Sequence, residues 1–240
     1  MHNSGYASVE DFPGLLVRQI GPFLFGFGNK DVTTEMLAKR FSKLSWSQVK
    51  QVHSAKIVES EEASVEADAH YTTRPNHALI IKSADCVPIL IACPSSEKPK
   101  AVCAIHAGWR GVTTEIVQNS VRALLEKGYA PTLMHAAVGP HIQMSSFEVG
   151  LDVALELKRA AMRAGIDDIS KIIIPHELDA AKRRVDLAAI VHAQLKFFQI
   201  REAGIDHVGG LDTLTNSEWS SFRRDGAKAG RNLSFIAVSD

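Results

Sequence analysis

Three side chains able to bind a metal ion lie at the margins of apolar runs in this sequence. His53 follows a short apolar run, Cys86 precedes the most hydrophobic run, and His106 ends another. Imidazole and thiolate groups are ligands that Zn²⁺ takes, and three protein ligands leave one tetrahedral position for water or a substrate. The three residues lack the close pairing of a structural zinc site. On spacing alone, two buried histidines and a buried thiol are therefore the alternative.

A glycine-rich loop follows the predicted strand that ends in His106. Gly108 and Gly111 permit backbone conformations closed to other residues, and we expect Thr113 to cap the helix that comes next. The start of a helix presents N–H groups to an anion, and the Arg110 guanidinium suits phosphate or carboxylate. The pattern thus predicts an anion site, with a tight turn and a surface ion pair of Arg110 as the alternative.

Short apolar runs enriched in β-branched residues predict the strands that must position these groups. Seven polar residues from Pro94 to Lys100 separate two of the runs and predict a turn rather than a domain boundary. The predicted strands are Leu15–Ile20, Phe23–Phe27, Ala78–Ile81, Val87–Cys93, Ala101–Ile105, Leu133–Val138, Lys171–Ile174 and Leu233–Val238.

Helices are predicted to alternate with the later strands. One spans Thr113–Lys127 and ends at Gly128, which is a typical terminating residue. A second begins at the capping-box sequence Ser145–Glu148 and continues to about Ala164, and a third spans Asp186–Ala203. The sequence therefore predicts one α+β or mixed α/β domain over residues 1–240, with mixed sheets.

The composition excludes several broad classes of function. Apolar residues make up 45% and charged residues 22% of the 240 residues, which is ordinary for a soluble globular protein. The 27 basic and 27 acidic residues cancel, so nothing predicts binding to nucleic acid or to a membrane. No signal-peptide pattern opens the chain, and its three cysteines fit reduced thiols. We expect a cytoplasmic monomer.

Five segments resemble, in order, the motifs of the YfiH or laccase-domain family, and the likeness extends from about Phe23 to the C-terminus. This resemblance implies that His53, Cys86 and His106 bind a metal, usually zinc. It also implies a four-layer α/β/β/α fold like that of the catalytic domain of cytotoxic necrotizing factor. The segments are Gln51–His53, Ser83–Pro88, His106–Gly111, Val138–Pro140 and Ser221–Gly226.

The activity that the resemblance implies is phosphorolysis of adenosine, inosine, guanosine and methylthioadenosine, together with deamination of adenosine. The partners are then a nucleoside and inorganic phosphate. Departures from the family pattern bear on substrate preference: Phe147 stands where tyrosine is common, and Asp212 stands where cysteine is common. Neither departure touches the three expected ligands.

Particular residues can be matched to these reactions. An open zinc position lowers the pKa of bound water to about 7, and a carboxylate normally moves the protons of a deamination. Asp85 is the nearest carboxylate and Glu148 the next; the alternatives for Asp85 are capping a turn or orienting a zinc-bound histidine. The cationic and helix-start candidates for binding phosphate are Arg110 with Gly111, and then Arg223, Arg224, Arg231 and Lys30.

Three other functions remain open at this point. Cys86 and His106 are the expected nucleophile and base of a cysteine hydrolase. A copper polyphenol oxidase of the laccase type needs several His-x-His pairs, and the ten histidines contain none, although copper can also bind at a single His–Cys–His site. A non-enzymatic protein with a structural metal requires a fourth ligand, for which Cys103 or His70 is the candidate.

Overall fold

The computed structural model describes residues 5–60, 65–208 and 210–239. The predicted strands overlap β2, β3, β7, β8, β9, β10, β12 and β15 of the numbering given next, although the predicted Lys171–Ile174 shares only two residues with β12. The strands are β1 (Ala7–Val9), β2 (Phe12–Ile20), β3 (Phe23–Gly28), β4 (Ser45–Gln48), β5 (Ile57–Glu59), β6 (Ala69–Thr72), β7 (His77–Ser83), β8 (Val87–Cys93), β9 (Ala101–Ala107), β10 (His135–Val138), β11 (Glu148–Gly150), β12 (Ile173–Pro175), β13 (Lys182–Val185), β14 (Ile205–His207) and β15 (Asn232–Val238). The helices are α1 (Thr34–Arg40), α2 (Trp109–Thr113), α3 (Ile116–Glu126), α4 (Leu151–Arg163), α5 (Leu187–Phe197) and α6 (Phe222–Asp225).

Two mixed six-stranded sheets form the centre of the molecule. The first has the order β1-β2-β3-β15-β7-β4, and only β4 lies parallel to its neighbour. The second has the order β14-β10-β8-β9-β6-β5, with parallel pairs at both edges and antiparallel pairs between them. A small antiparallel sheet, β11-β13-β12, lies apart from them. The prediction of mixed sheets is confirmed.

Apolar side chains on both faces of the two sheets account for the layers. Along β8, Ile89 packs with the cluster that includes α3, α4 and α5, whereas its neighbour Leu90 packs with Phe27 of the first sheet. Such alternation follows from the two-residue period of a strand. On its outer face, the first sheet packs Phe235 against Leu37 of α1. The order of layers is therefore helix, sheet, sheet, helices; the likeness to the toxin domain stays a prediction.

The predicted helix Thr113–Lys127 is two helices in the structure. Residues Trp109–Thr113 form α2, so Thr113 ends a helix instead of capping one. Glu115 then takes a left-handed conformation with φ of 75° before α3 begins. The Glu115 carboxylate pairs with Arg122 at 3.2 Å and with Arg163 at 3.5 Å, contacts that fix the break. Gly128, with φ of 79°, follows the end of α3 as predicted.

The capping box predicted at Ser145–Glu148 is wrong. These residues form a turn and the start of β11, and α4 begins only after Gly150. Their polar groups bind partners far away in sequence: the Ser146 hydroxyl donates to Asp212, and Glu148 lies 2.8 Å from the His176 ring.

The third predicted helix is correct at its start and too long at its end. The Asp186 carboxylate accepts the N–H of Ala189 at 2.8 Å and caps α5. The helix ends at Phe197, since Gln199 has a φ of 65°. None of the helices in the described ranges has the length and apolarity needed to cross a membrane.

One buried histidine makes stability depend on pH. His70 is fully buried on β6, with Nε2 lying 3.2 Å from the carbonyl oxygen of Ile80. Among the described residues Nδ1 has no hydrogen-bond partner. Burial lowers the pKa of His70 to about 4 from its ordinary 6.5, because the charged ring loses its hydration.

We expect replacement of this histidine to reduce acid sensitivity. As the pH falls through 6.5 toward 4, the unfolded chain takes up a proton that native His70 resists, so the free energy of unfolding falls. The loss reaches about 3 kcal/mol at the acid end. His70→Leu should flatten this slope in urea titrations from pH 7 to 4. The same slope in both proteins would contradict the expectation.

Candidate functional site

The structure brings His53, Cys86 and His106 together. Their ligand atoms all lie within 4.8 Å of one another, and this is the only such group among the described residues. The Sγ atom of Cys86 is 3.8 Å from Nε2 of His53. The rings of His53 and His106 meet edge to face, with centroids 4.9 Å apart. His53, Cys86 and His106, which span 53 positions of the sequence, therefore form one cluster, hereafter the His–Cys–His cluster.

Two chain crossings between the central sheets carry two of these residues. His53 lies on the segment from β4 of the first sheet to β5 of the second, and Cys86 lies between β7 and β8. Because β4 and β7 are parallel neighbours, both segments leave the first sheet at the same end of its strands. His106 comes from β9, where it pairs with Pro88 at the beginning of β8. The cluster therefore lies where strands of both sheets begin or end, on one side of the molecule's centre.

Gly108 is required for the three groups to meet. A Cβ atom at this position would lie 2.8 Å from the His53 ring and 3.0 Å from the Cys86 sulfur. Real Cβ atoms keep clear of such distances, so a larger residue at this position would push the His53 ring away from the Cys86 sulfur. The sequence predicts this glycine for its backbone freedom, but its φ of −72° is an ordinary one. The close approach of side chains is what excludes a Cβ.

The donor set of the cluster fits an ion such as zinc. Burial alone would raise the pKa of Cys86, but the His106 and His53 rings lower it to about 6. The side chain is then a thiolate at neutral pH, the form that binds metals. A fourth protein ligand is not found among the described residues: Cys103 is buried in the apolar core, and His70 contacts Ile80. The site therefore keeps an open position, which a structural metal site lacks.

Asp68 is a site residue that sequence reasoning missed. Its carboxylate is fully buried, and Oδ1 lies 2.8 Å from Nδ1 of His106. Burial works against the charged carboxylate, but hydrogen bonds from His106 and Ser54 outweigh it and hold the pKa of Asp68 well below its usual range. The residues around Asp68 are too polar for a strand to be recognised there, and the pairing of β6 with β9 is what brings it to His106.

Asp85 contacts two segments that are distant from it in the sequence. Its Oδ1 accepts the Thr213 hydroxyl at 2.7 Å, and its Oδ2 accepts the Arg223 N–H at 2.7 Å. Asp85 itself has a φ of 84°, in the left-handed region. These hydrogen bonds join Asp85 to no histidine, whereas Asp68 contacts His106. Asp85 instead ties α6 and the segment around Thr213 to the Cys86 loop.

The His–Cys–His cluster forms part of the wall of a cavity with a volume of about 650 Å³. Apolar surface is contributed by Trp109, Ile142, Phe147 and Phe222. Phe222 is 56% exposed, so its ring is available to a bound molecule. A concave site with aromatic walls and a few polar groups is typical of a small-molecule site.

Three of the arginines proposed for anion binding line this cavity. Arg110 is exposed, its guanidinium stacks on the Trp109 ring at 4.5 Å, and it has no ion pair within the described ranges. Arg223 donates to the carbonyl oxygen of Glu148 at 3.0 Å, and Arg231 donates to two neighbouring carbonyl oxygens. Of these three arginines, Arg110 therefore has the most hydrogen-bonding capacity left for a ligand.

The other anion-binding candidates lie elsewhere. The Lys30 ammonium donates to the carbonyl oxygen of Ser217 at 2.8 Å, and Arg224 donates to those of Thr213 and Trp219. Both line a second cavity of about 400 Å³, to which no member of the His–Cys–His cluster contributes. Gly111 is buried inside α2 and does not line the larger cavity.

Comparison with known proteins adds to this geometry. Residues 29–239 match the profile of a family described as multi-copper polyphenol oxidoreductase laccase. The purine nucleoside phosphorylase of Deinococcus radiodurans is 31% identical over 201 residues, covering 82% of this chain and 72% of the relative. That of Rickettsia conorii is 35% identical over 192 residues, covering 78% and 71%. The Escherichia coli purine nucleoside phosphorylase YfiH is 30% identical over 201 residues, covering 81% and 74%.

Solved structures share the fold. YlmD from Geobacillus stearothermophilus superposes with a TM-score of 0.84 at 21% identity, covering 98% of this chain and 99% of that one. The Bacillus licheniformis hypothetical protein YfiH gives a TM-score of 0.83 at 22% identity, covering 97% and 98%. The arrangement of the two central sheets is therefore shared with these proteins.

Proposed function

Since the chain belongs to the YfiH family of laccase-like domains, we propose that it is a metal-dependent purine nucleoside phosphorylase. The observation that carries the proposal is the open His–Cys–His cluster in the wall of a large, partly aromatic cavity that also holds Arg110. The proposed substrates are adenosine, inosine, guanosine and methylthioadenosine with inorganic phosphate. Relatives named purine nucleoside phosphorylase support this reaction class.

Zinc is the metal that we propose for the cluster, held by His53, Cys86 and His106. When bound there, it would supply a Lewis acid and lower the pKa of a coordinated water to about 7. Copper has the higher intrinsic affinity for nitrogen and sulfur donors, so metal analysis of the purified protein must include it.

The cavity residues suit phosphorolysis. A phosphate oxygen attacks C1′ of the ribose, the C1′–N9 bond breaks, and the purine leaves with the bonding electrons and takes up a proton. Arg110 is our proposal for the residue that binds and orients phosphate, because its guanidinium is exposed in the cavity and free of ion pairs among the described residues. Arg223 and Arg231 are the supporting cations. Phe147 and Phe222 offer apolar faces for the purine.

Deamination of adenosine is proposed as a second reaction of the same cavity. It needs a group that moves protons, and Asp85 is the carboxylate that lines the cavity among the described residues. Because its two oxygens accept hydrogen bonds from Thr213 and Arg223, we expect Asp85 also to hold these partners in place. Glu148 is a weaker proposal, since its carboxylate contacts His176 and Lys182.

Product analysis tests the proposal directly. Zinc-loaded protein is incubated with adenosine, with and without phosphate, and the products are separated by chromatography. We expect adenine and ribose 1-phosphate only when phosphate is present, and inosine regardless of phosphate. Inosine as the sole product would support the deaminase alone. If all four nucleosides remain unchanged, both activities are refuted.

A cysteine hydrolase is the second candidate, favoured by one observation. Asp68, His106 and Cys86 contact one another in that order, as an orienting carboxylate, a base and a nucleophile do. This candidate predicts activity that survives chelation and is abolished by iodoacetamide. The copper polyphenol oxidase has less support, because the one three-ligand group in the described residues cannot build a trinuclear centre.

A further inference from the structure

One buried carboxylate contacts the segments that carry both histidines of the cluster. Oδ1 of Asp68 lies 2.8 Å from the His106 ring and accepts the backbone N–H of His53 at 3.0 Å. Oδ2 accepts the N–H of Val52 at 3.2 Å and both the N–H and the hydroxyl of Ser54, at 2.6 and 2.8 Å. Three consecutive backbone N–H groups thus surround one side chain, in the manner of an anion-binding nest.

His53 depends on these bonds for its position. Its φ of 60° is one that residues other than glycine adopt only when their surroundings enforce it, at a cost of about 1–3 kcal/mol. The residue is exposed and lies outside any strand, so neighbouring side chains constrain it little. The N–H bonds from Val52, His53 and Ser54 to Asp68 are the contacts that hold the left-handed turn.

His106 depends on the same carboxylate for its tautomer. A charged carboxylate only accepts hydrogen bonds, so Nδ1 of His106 must carry the proton that it donates to Asp68. Nε2 is therefore the nitrogen that this ring can offer to a metal. The backbone adds a further tie, since the N–H of His106 donates to the carbonyl oxygen of Asp68 at 2.7 Å.

We propose that Asp68 is the positioning residue of the metal centre, which holds the His53 turn and the His106 ring so that both imidazoles face the Cys86 sulfur. The inference rests on the proposed function only in requiring that the cluster binds a metal. Removing the partner of one metal-bound histidine typically costs about 10–100-fold in metal affinity. Because Asp68 serves two ligands, we expect a loss of about 100-fold or more.

Binding of Co²⁺, followed by visible absorption, tests the proposal without any nucleoside. The bands of a cobalt–thiolate site report both the affinity and the coordination geometry. Asp68→Asn keeps the size of the side chain but replaces one acceptor by an NH2 donor. That donor faces either the N–H of His53 and the His106 ring or the N–H groups of Val52 and Ser54. The matched control is Asp212→Asn, because Asp212 is also a buried carboxylate but contacts Ser146 and Leu214 instead of the cluster.

We expect Asp68→Asn to weaken Co²⁺ binding by about 100-fold and to change the absorption bands, while Asp212→Asn binds like the wild type. Equal affinity and equal bands in all three proteins would overturn the role of Asp68 and leave the metal site standing. A wild type that binds no Co²⁺ would instead overturn the metal site on which the proposed function rests.

A milder variant covers the case in which Asp68→Asn does not fold. Ser54→Ala removes one of the five hydrogen bonds to the carboxylate and keeps its charge. We expect about 3- to 10-fold weaker Co²⁺ binding, a partial loss, because the carboxylate keeps its charge and its other four hydrogen bonds. Ser47→Ala, on β4, is the control, and it should bind as the wild type does. Unchanged affinity in Ser54→Ala would count against the proposal.

Discussion

Replacing Cys86 with alanine is expected to remove the bound metal and to lower phosphorolysis by about 1,000-fold or more, since a catalytic metal supplies several kcal/mol. The sulfur lies 3.8 Å from Nε2 of His53 and is a thiolate at neutral pH, because the two imidazoles lower its pKa to about 6. Without it, two neutral imidazoles remain, which is too few ligands for a stable zinc site. Zinc content by mass spectrometry and the release of adenine in the presence of phosphate measure the two effects.

The control for this variant is Cys93→Ala. Cys93 is a fully buried thiol on β8, and burial raises its pKa. It packs in the apolar core and is not a member of the His–Cys–His cluster. We expect Cys93→Ala to keep its zinc and its activity while unfolding at a lower temperature, since a small cavity opens in the core. A Cys86→Ala protein that keeps full activity would refute the metal-dependent reaction. Zinc lost equally from both variants would point to a general loss of structure.

Replacing Arg110 with alanine is expected to raise the KM for phosphate and to lower kcat/KM for phosphate by about 10- to 100-fold. This range corresponds to a charge-assisted hydrogen bond worth about 1.5–3 kcal/mol. Zinc content should not change, because the guanidinium stacks on Trp109 and is not a ligand of the cluster. Initial rates at saturating adenosine and varied phosphate measure the effect.

Lys30→Ala is the matched control, since it removes a cation from the second cavity. The Lys30 ammonium donates to the carbonyl oxygen of Ser217 and does not line the larger cavity, so its loss should leave the KM for phosphate unchanged. The reverse result, with a raised KM in Lys30→Ala and none in Arg110→Ala, would move the phosphate site to the second cavity. No change in either variant would leave Arg223 and Arg231 as the phosphate ligands.

Sequence reasoning succeeded where one local pattern decides the structure. The run Val87–Cys93 is apolar throughout, with Pro88 near its start. The corresponding strand, β8, is buried on both faces, as a continuous apolar run predicts. Each metal-ligand candidate lies beside such a run, so the ends of the strands could be placed. That the three meet was implied by the family resemblance and not by spacing.

Sequence reasoning failed where contacts distant along the chain decide. Asp68 reaches His106 only because β6 pairs with β9. The break at Glu115 has no glycine to signal it, and it depends on ion pairs with Arg122 and Arg163. Likewise, nothing in the run around Arg223 and Arg224 tells which guanidinium faces the larger cavity, because that direction is set by α6 and by Asp85.

The two connections that carry His53 and Cys86 each run from the first central sheet to the second, so the His–Cys–His cluster lies where the sheets are joined. His53 and Cys86 lie on connections between the two sheets and His106 lies on β9 of the second, so a shift of one sheet against the other would change the separation of their donor atoms. The apolar cluster that contains Phe27 and Leu90 holds the two sheets together. It therefore helps to fix the distances between the three donor atoms, although neither residue lines the cavity. Distant core substitutions would tune the reactivity of the centre as well as the stability of the fold.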